Sequence, residues 1–173
     1  MTEMPPAEPA RRKKTLVYKT VTVPGNFRQA CDEFNTGRFF DCHETFEEIW
    51  QQEQGAVRNL YKGLIQIAAA YVHVTRPNHF GAERLCRTAL AYLRPYRAEG
   101  AMGFDVERIC RDAEAMYARV TELGRERIGE FDASQRPFYE FDQAKLPAEA
   151  RRWSAWGFDA DGNALEMEIA VIE

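Results

Sequence analysis

A chain of 173 residues, with 45% hydrophobic and 29% charged side chains, is long enough for one domain with a real core and too apolar to be disordered throughout. Its net charge of −4 argues against general nucleic-acid binding, and its longest apolar stretch, Gly63 to Val74, is interrupted by Gln66 and His73 and is too short to span a bilayer. Met1 to Lys14 lacks the apolar core of a signal peptide, and Cys31, Cys42, Cys86 and Cys110 show no C-x-x-C pairing, so a cytoplasmic protein with reduced, buried thiols is expected.

Residues 1–14 contain three prolines and the basic cluster Arg11, Arg12, Lys13 and Lys14, and are expected to form a mobile, solvated arm. Residues 15–25 are rich in β-branched side chains and end at Pro24-Gly25, which predicts a short strand. A helical bundle follows over residues 26–124. Its first helix buries Phe27, Ala30, Cys31 and Phe34 and stops at Gly37. Asp41 stands three residues before Glu44, the spacing of a capping box for a second helix that runs to about Gln54. The third, about Val57 to Arg76, is apolar around most of its circumference and so should be central. Pro77 ends it, Asn78 caps a fourth helix, and Asp105 caps a fifth that closes at Gly124. Residues 125–173 lose the helical period. Trp153 to Phe158, a turn at Asp159 to Asn163, and Leu165 to Ile172 suggest a β-hairpin packed on the bundle, sharing a small sheet with the N-terminal strand. The expected fold is therefore mostly all-α, an up-and-down bundle of about five helices with a small β element at its ends.

The polar residues of the second and third helices carry the functional question. His43, Glu47 and Trp50 fall at i, i+4 and i+7 of the second helix, near the edge of its buried face. Gln66 and His73 project from one side of the third, beside the small residues Ala69 and Ala70. If the helices pack there, His43, Glu47 and His73 converge, and two imidazoles with one carboxylate suit zinc, iron or manganese. Trp50 and Gln66 on the same helices, and Arg58, which with Arg76 flanks the third helix and could bind an anion, are the candidates for touching a ligand. Two structural readings compete: Lys62 shares the Gln66 side, as on a solvated face, or the cluster is a metal-free hydrogen-bond network that fixes helix register. Cys42 and His43 are adjacent and diverge by about 100°, so they do not form a nucleophile–base pair.

The strings Phe34-Asn35-Thr36-Gly37-Arg38-Phe39-Phe40-Asp41-Cys42-His43-Glu44 and Gly63-Leu64-Ile65-Gln66, with Glu47, Trp50, His73 and Gly81-Ala82, resemble the Domain of Unknown Function 309 family of bacteria and archaea. The family's hallmark H-x-x-x-E-x-x-[WY] is matched by His43, Glu47 and Trp50, and the likeness runs from about Phe27 to Leu93. It implies an all-helical fold and a suspected metal-binding role for the motif. The chain departs from the family at Pro77, where glycine is usual.

Two functions stay open on the sequence. One is a divalent-metal or small-ligand site at His43, Glu47 and His73; were it an enzyme, metal-assisted hydrolysis would follow, with Glu44 or Gln66 orienting a bound water. The other is a non-catalytic interaction or oligomerisation module, such as a homodimer, with aromatics near Tyr92, Tyr96, Trp153 and Trp156 as its surface. A cavity at His43 distinguishes the first from the second.

Overall fold

Side chains alternate along Leu16–Val21 (β1): Leu16, Tyr18 and Thr20 are exposed, while Val17 and Lys19 are half-buried and Val21 is buried. The computed structural model describes residues 12–173, so most of the expected arm, Arg11 included, lies outside the described residues. β1 pairs antiparallel with Met167–Ile172 (β2), in register from Leu16 opposite Ile172 to Val21 opposite Met167. This two-stranded sheet joins the N- and C-terminal segments, as the sequence suggests. The expected hairpin is not formed. Pro147 opens a short helix, Leu146–Trp153 (α6), which Ser154 closes in a left-handed conformation, φ 49°. Only a bridge between Phe158 and Ala164 remains of the hairpin, around a turn in which the Asp159 carboxylate accepts the N–H groups of Asp161 and Asn163.

The other helices are Val23–Asn35 (α1), Phe39–Gln52 (α2), Arg58–Thr75 (α3), His79–Leu93 (α4) and Val106–Arg127 (α5), which makes six with α6 among the described residues. Two expectations fail at helix starts. Pro24 does not end a strand; it occupies the first turn of α1, where its missing N–H leaves no helical bond unmade. α2 begins at Phe39, two residues before Asp41, so the capping box is not formed and Glu44 stands exposed on the helix. Two other caps form as expected, with Asn78 accepting the Gly81 N–H and Asp105 the Arg108 N–H. Gly124, at φ 63°, breaks α5 near its end. Between α3 and α4, Pro77 sits at φ 22°, far from the value its ring favours and close to the region open to glycine.

α3 is central, with Leu60, Leu64, Ile67, Ala68 and Tyr71 fully buried. α2 and α4 pack along its two sides, α1 lies on α2, and α5 on α4. Stacking of Phe39 on Tyr71 at one end and Arg58 over Trp50 at the other shows α2 and α3 running antiparallel. Gly63 lets α4 come close: a Cβ there would lie 2.5 Å from the Leu93 side chain.

After α5 the chain returns across the bundle as a strap. Tyr139 is buried and stacks on Phe34 at 3.8 Å, with its hydroxyl donating to the Leu64 carbonyl. Asn35 brackets the same residue, accepting the Tyr139 N–H at 2.8 Å and donating to its carbonyl at 2.7 Å. Tyr71 donates to the Gln135 carbonyl, and the buried Glu53 carboxylate accepts the N–H groups of Gly55 and Trp156.

Candidate functional site

The periodicity of α2 sends Cys42, Thr45, Phe46 and Ile49 inward and leaves Phe40, His43, Glu44, Glu47 and Trp50 along its outer side. His43 Nε2 and Glu47 Oε2 are 3.9 Å apart, one helical turn from each other and both part-exposed. Phe40 stacks on the His43 ring at 5.9 Å. Trp50 meets α3, where the Arg58 guanidinium lies 4.0 Å and the Lys62 ammonium 4.3 Å from its ring centroid. Arg58 also donates from Nε to the Trp50 carbonyl. Among the described residues neither cation forms an ion pair with a carboxylate.

The α3 residues expected at this seam divide. Arg58 and Lys62 face it, but Gln66 accepts a 2.6 Å hydrogen bond from the Thr88 hydroxyl of α4. His73 turns to α4 as well. Its Nδ1 lies 3.0 Å from the Asn78 amide nitrogen, and the ring packs on Gly81, where a Cβ would come within 2.6 Å of Nδ1. The amide is the donor, so the imidazole proton resides on Nε2. Burial and then the nearby Arg76 and Arg84 lower the His73 pKa.

The structure thus brings His43, Glu47, Trp50 and Arg58 together and leaves His73 and Gln66 apart from them. The antiparallel register explains why: Phe39 is opposite Tyr71, so residue 73 lies past the start of α2, and its side chain serves the α3–α4 joint. No group of three His, Cys, Asp or Glu side chains able to hold a metal occurs among the described residues. His79 lies 3.6 Å from Glu83 on its own helix. Cys42 is buried and its thiol pKa is raised well above its ordinary value by desolvation, which removes it as a nucleophile. Burial likewise pushes Cys31 and Cys86 up to about 12 and Cys110 to about 11.

The seam is not a satisfied hydrogen-bond network either. His43 Nδ1 and Trp50 Nε1 are buried from water with no partner, a state that costs about 1–3 kcal/mol per group. Nor is it a cavity. Five cavities of about 230–400 Å³ indent the molecule, and none of these five is lined by His43, Trp50, Gln66 or His73. One of about 320 Å³ reaches Glu47, between α2 and the sheet, and is lined by Glu44, Glu48, Leu16, Ala170 and Ile172 as well.

The aromatic surface proposed for an interaction module is corrected. Tyr96 is 3% exposed and packs edge-on against Trp153, which is itself half-buried with Trp156 and Tyr92. The exposed large apolar residues are elsewhere, among them Phe40, Phe80, Leu16, Tyr18 and Ile172. Sequence reasoning also passed over Lys62 as a solvated residue and missed the buried carboxylates Glu33 and Glu53. Glu33 accepts from the Thr45 hydroxyl across α1 and α2. The spacing that signals Lys62 was present, since Arg58 and Lys62 are one helical turn apart.

Residues 27–85 match the family described as "Domain of unknown function (DUF309)". The chain is also similar to "Uncharacterized protein YpuF" of Bacillus subtilis (strain 168), with 34% identity over 91 residues that make up 51% of this chain and 52% of that protein. It therefore spans about half the length of the curated relative it matches. No solved structure matches the chain.

Proposed function

With a DUF309 domain at residues 27–85 as the premise, we propose that the protein is a non-catalytic interaction module whose recognition surface is the outer side of α2 with the adjoining α3 cations. One observation carries this reading. Trp50 lies beneath Arg58 and Lys62, neither paired with a carboxylate among the described residues. Tryptophan and arginine are the side chains that most often anchor protein interfaces. Half-buried Trp50 and exposed Phe40 supply the apolar part, and Arg58, Lys62, Glu47 and Glu44 the polar rim.

The test uses Trp50 fluorescence in a chain carrying Trp153→Phe and Trp156→Phe. Emission is followed while protein concentration rises, and again with a cell extract divided by ultrafiltration into small-molecule and macromolecular fractions. A response to protein concentration or to the macromolecular fraction supports the reading. A response to the small-molecule fraction alone replaces it with a ligand site.

A second reading rests on a different observation, the outward His43–Glu47 pair at 3.9 Å with neither side chain committed to another partner. Such a pair offers two ligands to zinc, iron or manganese, with the remaining positions filled from outside the chain. Elemental mass spectrometry of protein purified without chelator, beside His43→Ala, decides it. Near-stoichiometric metal lost in the variant supports this reading, and equal, trace metal in both removes it.

A further inference from the structure

Every second residue of β2 turns its backbone away from β1. Thr15 and Glu173 exchange both N–H···O bonds at 3.0 Å, so the bonded pairs continue through Val17–Val171, Lys19–Ile169 and Val21–Met167. The N–H and C=O groups of Glu168, Ala170 and Ile172 therefore point to the other edge of the strand, where no backbone group of the described residues meets them. Such an edge is a template for a further strand unless proline, lysine or a covering segment guards it. β2 runs six residues, Met167–Ile172, without proline or lysine. The edge also borders a groove. Ala170, Val171 and Ile172, with Leu16, form one wall of the cleft of about 320 Å³, and Glu44, Glu47, Glu48 and Gln51 of α2 form the other. Those four α2 positions lie at i, i+3, i+4 and i+7 and share one face of the helix. Among the described residues Glu44 meets no cation and Glu47 has His43 at 3.9 Å, whereas Glu48 is held by Lys19 at 3.0 Å.

We propose that the free edge of β2 takes up an extended segment of another protein as a third strand, with cations at alternate positions and apolar side chains between them. This goes beyond the recognition reading of the α2–α3 face and uses the flank of α2 that lies by the sheet. Charge complementarity names the occupant, and β1 supplies the precedent. Lys19 points to the inner face of the sheet between exposed Tyr18 and Thr20, and its ammonium reaches an α2 carboxylate. In a third strand the side chains level with Ile169 and Val171 point the same way and meet Glu44 and Glu47. Those level with Ala170 and Ile172 fall on the outer face, where Leu16, Tyr18 and Ile172 are 56%, 67% and 68% exposed. Backbone bonds to the edge give affinity, and the alternation gives specificity. A second copy fits poorly. Its β2 would bring Glu166, Glu168 and Glu173 to a groove that is already acidic, and its β1 is engaged with its own β2.

Fluorescence anisotropy on the full chain tests the proposal with a labelled peptide of alternating lysine and valine, six residues long like β2. Saturable binding is expected, and glutamate in place of the peptide's lysines should weaken it at least roughly tenfold. Two further peptides carry methyl groups on one or the other alternate set of backbone nitrogens. One set faces β2 and the other faces away, so one peptide should lose binding and the other keep it. Ala170→Pro removes an outward N–H while leaving the ladder with β1 intact, and should weaken binding at least roughly tenfold. Glu44→Lys should do the same, whereas Glu126→Lys, an equal charge change at an exposed position of α5, should alter it less than about twofold. Each variant is checked by circular dichroism, and the methylated peptides leave the protein itself untouched. Absence of binding overturns the proposal. So does binding that ignores both methylated peptides and Ala170→Pro, because the lysines then feel only an acidic surface. A chain that dimerises in light scattering and is returned to monomer by Ala170→Pro overturns it as well, since the edge then belongs to a second copy.

Discussion

Two polar seams of the molecule treat their buried groups in opposite ways. Under the strap, Asn35 exchanges two hydrogen bonds with the Tyr139 backbone, Tyr139 and Tyr71 donate to carbonyls, and Glu53 accepts two N–H groups; the Tyr61 hydroxyl and the Trp153 indole are the exceptions. On the outer side of α2, His43 and Glu47 stand beyond hydrogen-bond distance, the Trp50 indole and His43 Nδ1 have no partner, and Arg58 and Lys62 meet no carboxylate among the described residues. Polar groups bound to backbone hold a fold together. Polar groups left over on a part-exposed face are available to something outside it. The difference predicts that substitutions under the strap act on stability and substitutions on α2 act on association.

The largest effect is expected at Tyr139. Tyr139→Ala removes a fully buried ring stacked on Phe34, together with its hydrogen bond to Leu64, and is expected to cost about 3–5 kcal/mol, read as a lower denaturation midpoint. A loss below about 1 kcal/mol would mean that the strap is an ornament rather than part of the core. Asn35→Ala is expected to cost somewhat less, about 2–3 kcal/mol, because it leaves the Tyr139 N–H and carbonyl without partners while removing little volume. Asn35→Asp sharpens the comparison, since a carboxylate can accept the N–H but cannot donate to the carbonyl, and should fall between wild type and alanine.

Glu53 gives the strap a pH dependence. Burial raises its pKa above the ordinary 4.5, against the lowering pull of the Trp156 and Gly55 N–H groups. The folded chain then holds this proton more tightly than the unfolded chain. Its contribution is fully present below pH 4.5 and is lost as pH rises through the raised value. In denaturant titrations the stability of wild type relative to Glu53→Gln should decline as pH increases above 4.5. A difference that grows instead would mean that the backbone donors outweigh burial.

What could be seen in the sequence follows the range of the forces involved. Periodicity and caps act within a turn or two, so the central position of α3, the caps Asn78 and Asp105, the break at Gly124 and the four buried thiols were all legible. α6 was not, because eight residues give too little period, and the competing strand pattern began inside it at Trp153. The His43–Glu47 pair was legible as one helical turn, whereas the meeting of Trp50 with Arg58 was not. The place of His73 was not. Whether it faces α2 or α4 depends on the rotation of α3 between its neighbours, which Gly63 and Gly81 decide through close approach to α4. The strap's hold on Asn35 joins residues 104 apart, and no local pattern announces a contact of that range.

The smallest expected change in stability is at His43, and for that reason it separates the two seams most cleanly. The side chain is 29% exposed, and its Nδ1 already lacks a partner. His43→Ala gives up the packing on Phe40 but also removes an unsatisfied buried nitrogen, so the two terms oppose and the net change is expected to stay within about 0.5 kcal/mol. Were His43 part of a register-fixing network, its loss would cost several times that. Association should respond in the opposite proportion. His43 stands on the proposed recognition face, and the affinity for what that face binds is expected to fall at least roughly tenfold. His43→Asn keeps a donor able to reach a carboxylate and should recover part of that loss. A His43→Ala chain that melts far below wild type yet associates normally would place His43 with Asn35 and Tyr139 as a structural residue, and the contrast between the seams would fail.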